Sequence, residues 1–141
     1  GRDGVRLSDE WRDGPRNYLG LAMAGFPNLF TITGPLSPSV LAVMIVAAEQ
    51  HVDWIADCIA HVNEHGYSRI EPVRQAQQQW VDHVNEVNDN TLFPKTNNSY
   101  YIGANVPGKP RMFTPYAGGF GEYRHKCDEV VANDYEGFIL S

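Results

Sequence analysis

His61-Val62-Asn63-Glu64-His65 has the H-x-x-E-H form: two imidazoles one helical turn apart can hold zinc, with the carboxylate as general base. That motif lies just before Gly66, in the last turn of a helical pattern, and no third ligand follows in a helical context. Histidines there are also explained by the negative end of the helix dipole. A second group is Gly34-Pro35-Leu36-Ser37-Pro38, preceded by Leu29-Phe30-Thr31-Ile32-Thr33, an apolar and β-branched run that reads as a buried strand. Two prolines and a glycine stop the strand, Ser37 reads as an N-cap, and Pro38 as a first helical residue. A helix leaving such a corner presents unpaired backbone N–H groups and a positive dipole end. It would suit a phosphate, or the electron-rich pyrimidine edge of a flavin; the same pattern also reads as an ordinary βα unit.

The elements that would position these groups follow from periodicity. Leu41, Met44, Ala48, Val52, Ile55, Ile59 and Val62 recur at steps of three and four, predicting one buried face of a long helix that Gly66 ends. After an extended link over residues 67–71, a second helix is expected over 73–92, with Val73, Ala76, Trp80, Val84 and Val87 inward. Gln75, Gln77, Gln78, Gln79 and Asp82 fall on its wet side, and the short link implies that the two helices pack together. Residues 93–119 are rich in Gly, Pro and aromatics without periodicity, a loop long enough to imply function or disorder. Tyr100, Tyr101, Phe113 and Tyr116 argue against disorder. A third helix is expected over 121–133, and Phe138-Ile139-Leu140 as an edge strand or a packed tail. Residues 1–27 are read as polar, with short strands at best, 18–22 pairing near 29–33. The fold class is therefore α/β and mainly helical.

Composition sets bounds. The 141 residues suffice for one core, 43% are hydrophobic and 20% charged, and the net charge is -6. That charge disfavours nucleic acid and anionic membranes, and no apolar run reaches a membrane span. Cys58 and Cys127 read as two buried thiols of a cytoplasmic protein, a disulfide being the alternative. Asn97-Asn98-Ser99 fits a glycosylation sequon. His51, His83 and His125 are read as lying on helix surfaces or bonded locally.

Several stretches resemble one family in the same order along the chain. These are Gly25-Phe26-Pro27-Asn28-Leu29-Phe30, Thr33-Gly34-Pro35-Leu36-Ser37-Pro38-Ser39 and Glu49-Gln50-His51-Val52-Asp53-Trp54, then Trp80-Val81-Asp82-His83-Val84-Asn85-Glu86. Gly103-Ala104-Asn105-Val106-Pro107-Gly108-Lys109-Pro110-Arg111 and Tyr135-Glu136-Gly137-Phe138 complete the series. Together they resemble the C-terminal part of flavin-dependent Baeyer–Villiger monooxygenases of the cyclohexanone and phenylacetone monooxygenase type. The family's two dinucleotide fingerprints and its catalytic arginine lie N-terminal to the matched part, and this chain has no G-x-G-x-x-G. The resemblance therefore implies a C-terminal fragment, with residues 1–66 ending an FAD-binding domain. Residues 67–141 would hold a helical segment, a control loop (93–119) and a C-terminal helix.

The resemblance implies FAD and NADP as cofactors, with a ketone and O₂ as substrates and the N-terminal FAD and NADP domains as partners. It places Gly34, Pro35, Ser37, Ser39, Met44 and Tyr100 at the cofactors, and Leu41, Met44, Phe113 and Thr114 at the substrate. No catalytic residue and no metal ligand are implied. Tyr100 stands where the family usually has tryptophan, so its contact to the nucleotide differs in hydrogen-bond geometry. Two alternatives stand beside this reading: a helical module binding no cofactor, and a zinc hydrolase using His61 and His65.

Overall fold

The computed structural model describes residues 1–95, 99–104 and 106–141. Asn97 and Asn98 of the sequon, and Asn105 of the loop motif, lie outside the described residues. The described chain is mainly helical: α1 (Leu7–Glu10), α2 (Met44–Glu64), α3 (Arg74–Asp89) and α4 (Phe120–Ala132), with strands β1 (Ile70–Pro72) and β2 (Phe138–Leu140). β1 and β2 pair antiparallel, with Ile70 opposite Leu140 and Pro72 opposite Phe138, so the apolar tail is an edge strand. No helix among the described residues is long and apolar enough to cross a membrane.

Helix α2 ends as the sequence implies, Gly66 taking the left-handed conformation (φ 71°) just beyond it. Its start and its buried face differ from expectation. Ser39 has φ 28° and Ala42 is extended, so residues 39–41 form a separate 3-10 turn and the α-helix begins at Met44. Ser37 is not its cap: the hydroxyl donates to the Gly34 carbonyl at 2.7 Å, and Val43 caps without a side-chain bond.

The buried positions of α2 are Ala47, His51, Trp54, Cys58 and Val62. Of the expected stripe only Val62 is buried, while Leu41, Met44, Val52 and Ile59 stand exposed. The stripe is thus rotated by roughly a quarter turn from the one that packs. Both faces are apolar enough to bury, and this chain covers only the one carrying Trp54 and Cys58. The uncovered shoulder, Val43, Met44, Ile45 and Val46, forms a continuous apolar surface at the helix start.

Residues 29–33 make no strand. Phe30 forms one antiparallel bridge with Ala22, and Ala22 bridges Tyr18 across a tight turn. The next donors go elsewhere: Thr31 N–H to the Leu21 carbonyl and Thr33 N–H to the His51 ring. Leu29 and Ile32 face outward, so nothing in this chain rewards extending the ladder.

The stretch read as polar at the N-terminus contributes part of the core: Leu19, Leu21, Ala22, Met23, Ala24 and Phe26 are all buried. They join Leu36, Trp54, Trp80, Val84, Tyr116, Tyr123 and Tyr135 in the main apolar cluster or lie beside it. This coil contacts α2 through Thr33 and α3 through Leu36, and α2 packs most closely on α4 rather than on α3. Gln77, expected to be wet, is buried because its side-chain oxygen accepts the Ala24 N–H at 2.8 Å. Cys58 and Cys127 are buried free thiols, each pushed up to about 12 by burial and therefore inert.

Candidate functional site

Residues 33–39 form a corner with unusual backbone geometry. Thr33 (φ 50°), Leu36 (φ 67°) and Ser39 (φ 28°) all lie in the left-handed region although none is glycine. Such a conformation persists only where surroundings over-determine it, and here each neighbouring peptide group is held from a distance. Asn17, fully buried, donates to the Pro35 carbonyl at 2.5 Å and accepts the Gly20 N–H at 3.1 Å. The Trp80 indole donates to the Leu36 carbonyl at 3.2 Å. Gly34 admits no side chain: a Cβ would collide with the Thr31 hydroxyl and the Gly20 carbonyl oxygen.

The 93–119 loop closes onto this corner. Leu36 N–H donates to the Thr114 carbonyl at 2.6 Å, and Tyr116 N–H donates to the Ser37 carbonyl at 2.8 Å. Aromatic packing holds the loop's described ends, Phe113 stacking on Phe93 at 5.0 Å with the rings 7° from parallel, and Tyr116 stacking on Trp80 at 5.5 Å. Asn88, buried at the end of α3, donates to the Phe113 and Pro115 carbonyls and accepts the Ala117 N–H at 3.1 Å. Asn88→Ala would leave these backbone groups unpaired at a cost of about 2 kcal/mol. Hydrogen exchange at Ala117 should accelerate in that variant, and unchanged protection would contradict the anchor.

Three of the expected site residues, Pro35, Tyr100 and Thr114, line one open cavity of about 420 Å³. Trp11, Pro15, Tyr101, Lys109 and Met112 complete much of its wall, so it is largely apolar with one ammonium group and two phenols. Tyr100 is 71% exposed and meets Tyr101 edge-on at 5.3 Å, a geometry that leaves a ring face accessible. Gly34 and Ser37 are packed inside the corner, where they shape it through backbone. Leu41 and Met44 stand on the exposed shoulder outside this cavity, with Ser39 half-buried at the start of the 3-10 turn. Phe113 is buried beneath the loop.

The cofactor-sized groups implied by the sequence fit this surface in part. The first turn of α2 leaves backbone N–H groups without intrahelical acceptors, and no side chain caps them. Apolar side chains surround that tip, which suits a flat ring system with a polar edge better than a free phosphate. Lys109 is the one cationic side chain among the described residues that line the cavity.

His61 and His65 pack ring on ring at 4.1 Å, and His65 Nδ1 lies 2.8 Å from the His61 carbonyl oxygen. The described residues contain no group of three His, Cys, Asp or Glu placed to hold a metal. His51 departs from its surface expectation: it is fully buried, its Nδ1 accepts the Thr33 N–H at 2.8 Å, and burial lowers its pKa to about 4. Sequence reasoning also passed over Asn17 and Asn88. The signal for His51 and Asn88 was spacing, since His51 falls in register with Trp54 and Cys58, and Asn88 with Trp80 and Val84.

No family model matches the chain. Curated relatives do. An acetone monooxygenase (methyl acetate-forming) of Gordonia sp. (strain TY-5) is 43% identical over all of this chain and 26% of its own length. A Baeyer–Villiger monooxygenase of Pseudooceanicola batsensis is 40% identical over 99% of the chain and 25% of its own length. Among solved structures, cyclohexanone monooxygenase from Rhodococcus sp. Phi1 bound to NADP+ superposes with a TM-score of 0.94 at 37% identity, over all of this chain and 26% of that one. One solved relative is a complex with FAD and NADP. The chain thus spans about a quarter of the length of the relatives it matches. Matched end to end in sequence and in fold, it belongs to the flavin-dependent Baeyer–Villiger monooxygenase family.

Proposed function

We propose that the protein carrying this chain is an FAD- and NADPH-dependent monooxygenase that converts a ketone, O₂, NADPH and a proton into an ester or lactone, NADP and water. In this reading residues 1–66 finish an FAD-binding domain, and 67–141 supply helices, a control loop at 93–119 and a closing helix. The FAD- and NADP-binding parts that it lacks would cover the apolar shoulder from Val43 to Val46. The observation that carries the proposal is the pair of backbone bonds in which Leu36 N–H donates to Thr114 and Tyr116 N–H donates to Ser37. They set Pro35, Tyr100 and Thr114 around one cavity beside the amide-bearing start of α2.

Bound FAD supplies the redox chemistry. The chain's residues bind, orient and exclude water. Gly34, Pro35, Ser37 and Ser39 would form the cofactor-side wall, mainly through backbone, and Met44, on the exposed shoulder, would face the flavin. Leu41, Met44 and Thr114 would border the ketone once the shoulder is covered, with Phe113 supporting them from beneath the loop, and Tyr100 would offer a ring face and a phenol to the nucleotide. A loop held to the corner by backbone bonds keeps water from the reacting centre once it has closed. Two free, buried thiols sit well with a cytoplasmic setting.

The test joins this chain to the sequence preceding it in its gene. The purified full-length protein should hold FAD, oxidise NADPH faster when a ketone is added, and yield an ester or lactone. Absence of flavin, or NADPH oxidation indifferent to ketones, would refute the proposal. A relative named phenazine N-monooxygenase is 39% identical over 99% of the chain, so an aromatic N-heterocycle belongs in the same substrate panel.

A further inference from the structure

We propose that His51 is a positioning residue, holding the 33–39 corner in its strained shape through a buried chain of hydrogen bonds that begins on α4. Thr33 N–H donates to His51 Nδ1 at 2.8 Å, so that nitrogen carries no proton. The ring proton then sits on Nε2, 2.8 Å from the Tyr123 hydroxyl oxygen, and donates to it. The Tyr123 hydroxyl in turn donates to the Leu19 carbonyl at 2.6 Å. The Tyr123 hydroxyl also touches the Cys127 thiol, and only the Nε2–H tautomer of His51 satisfies all three of these bonds.

The two ends of this chain are not ordinary backbone. Leu19 has φ 58° and Thr33 has φ 50°, both in the left-handed region that side chains avoid. Imidazole and phenol are fully buried, so an unmade bond would find no water to replace it. One imidazole therefore couples the coil carrying Leu19, the helices α2 and α4, and the residue that enters the Gly34-Pro35 turn. Gly20, which follows Leu19, packs against Ser37, so both ends of the chain meet at the same corner.

The inference rests for its catalytic consequence on the function proposed above, and for its geometry on none of it. Two measurements on the full-length protein separate the two. Isotope-labelled histidine NMR should find His51 as the neutral Nε2–H tautomer, with the Thr33 amide strongly protected from exchange. In turnover, His51→Leu removes both bonds and should lower kcat/KM about tenfold or more, since small displacements of positioning groups are costly. His51→Asn offers an acceptor at the place of Nδ1 and should recover activity to within about threefold of wild type, the Thr33 bond being remade. Tyr123→Phe should leave the Thr33 amide protected while altering the His51 ring signals. The proposal is overturned by an Nδ1–H tautomer, by a freely exchanging Thr33 amide, or by an asparagine variant no better than leucine. If the wild-type protein neither holds flavin nor turns over a ketone, the functional reading falls, and the NMR result alone decides the hydrogen-bond chain.

Discussion

Gly20→Ala is expected to lower stability by about 3 kcal/mol, and to disturb the corner rather than the turn in which Gly20 lies. Two costs combine. Gly20 has φ +72°, a conformation that costs any L side chain about 1 kcal/mol or more. A Cβ there would also lie 2.5 Å from Ser37 Cβ and 3.0 Å from Ser37 N, and the backbone atom cannot swing away. Overpacking of this kind adds about 1–3 kcal/mol. Gly66 supplies the control, having φ +71° with nothing within 4 Å of its Cβ position. Gly66→Ala should therefore show only the conformational cost. Urea denaturation of the two variants compares them directly, and equal losses would mean that the Gly20–Ser37 approach is not tight.

Acid is expected to weaken the fold through His51 by about 3 kcal/mol between pH 6.5 and pH 4. Burial holds the folded-state pKa at about 4, against an ordinary value of 6.5. Between these values the unfolded chain binds a proton that the folded chain refuses, so stability is full above pH 6.5 and falls as pH drops toward 4. The geometry gives the same sign. A proton on Nδ1 would face the Thr33 N–H at 2.8 Å, turning an acceptor into a second donor. His83, lowered by burial and by the nearby Lys126 ammonium, adds to the loss in the same direction. Carboxylates contribute to any acid transition, so the diagnostic quantity is the difference from His51→Asn, which cannot titrate. Unfolding free energies measured at several pH values should converge for the two proteins as pH falls toward 4. Parallel curves would show that His51 is not buried neutral.

Sequence alone determined what depends on neighbours along the chain. That there are three main helices follows from three-four spacing and from Gly66 and Pro94, although the first starts at Met44 and not at Pro38, and of the two alternatives for the apolar tail the edge strand forms. The ordered stretches of the aromatic loop and the family motifs were equally legible, because stacking residues and turn formers act where they stand. Tertiary structure decided what depends on partners far away. Helix α2 carries apolar residues on two faces, and only the packing of α4 and the 17–38 coil selects the one with Trp54 and Cys58. The strand at 29–33 is absent because a ladder needs a neighbour, and among the described residues only the bridge to Ala22 and the bond to Leu21 form. His51, Asn17 and Asn88 read locally as polar residues on helices or in coil. They become struts because Thr33, Pro35 and Ala117 present unpaired backbone groups at the points where these side chains end. A buried peptide group without water must find such a partner, and which one it finds is settled by how the chain folds back on itself.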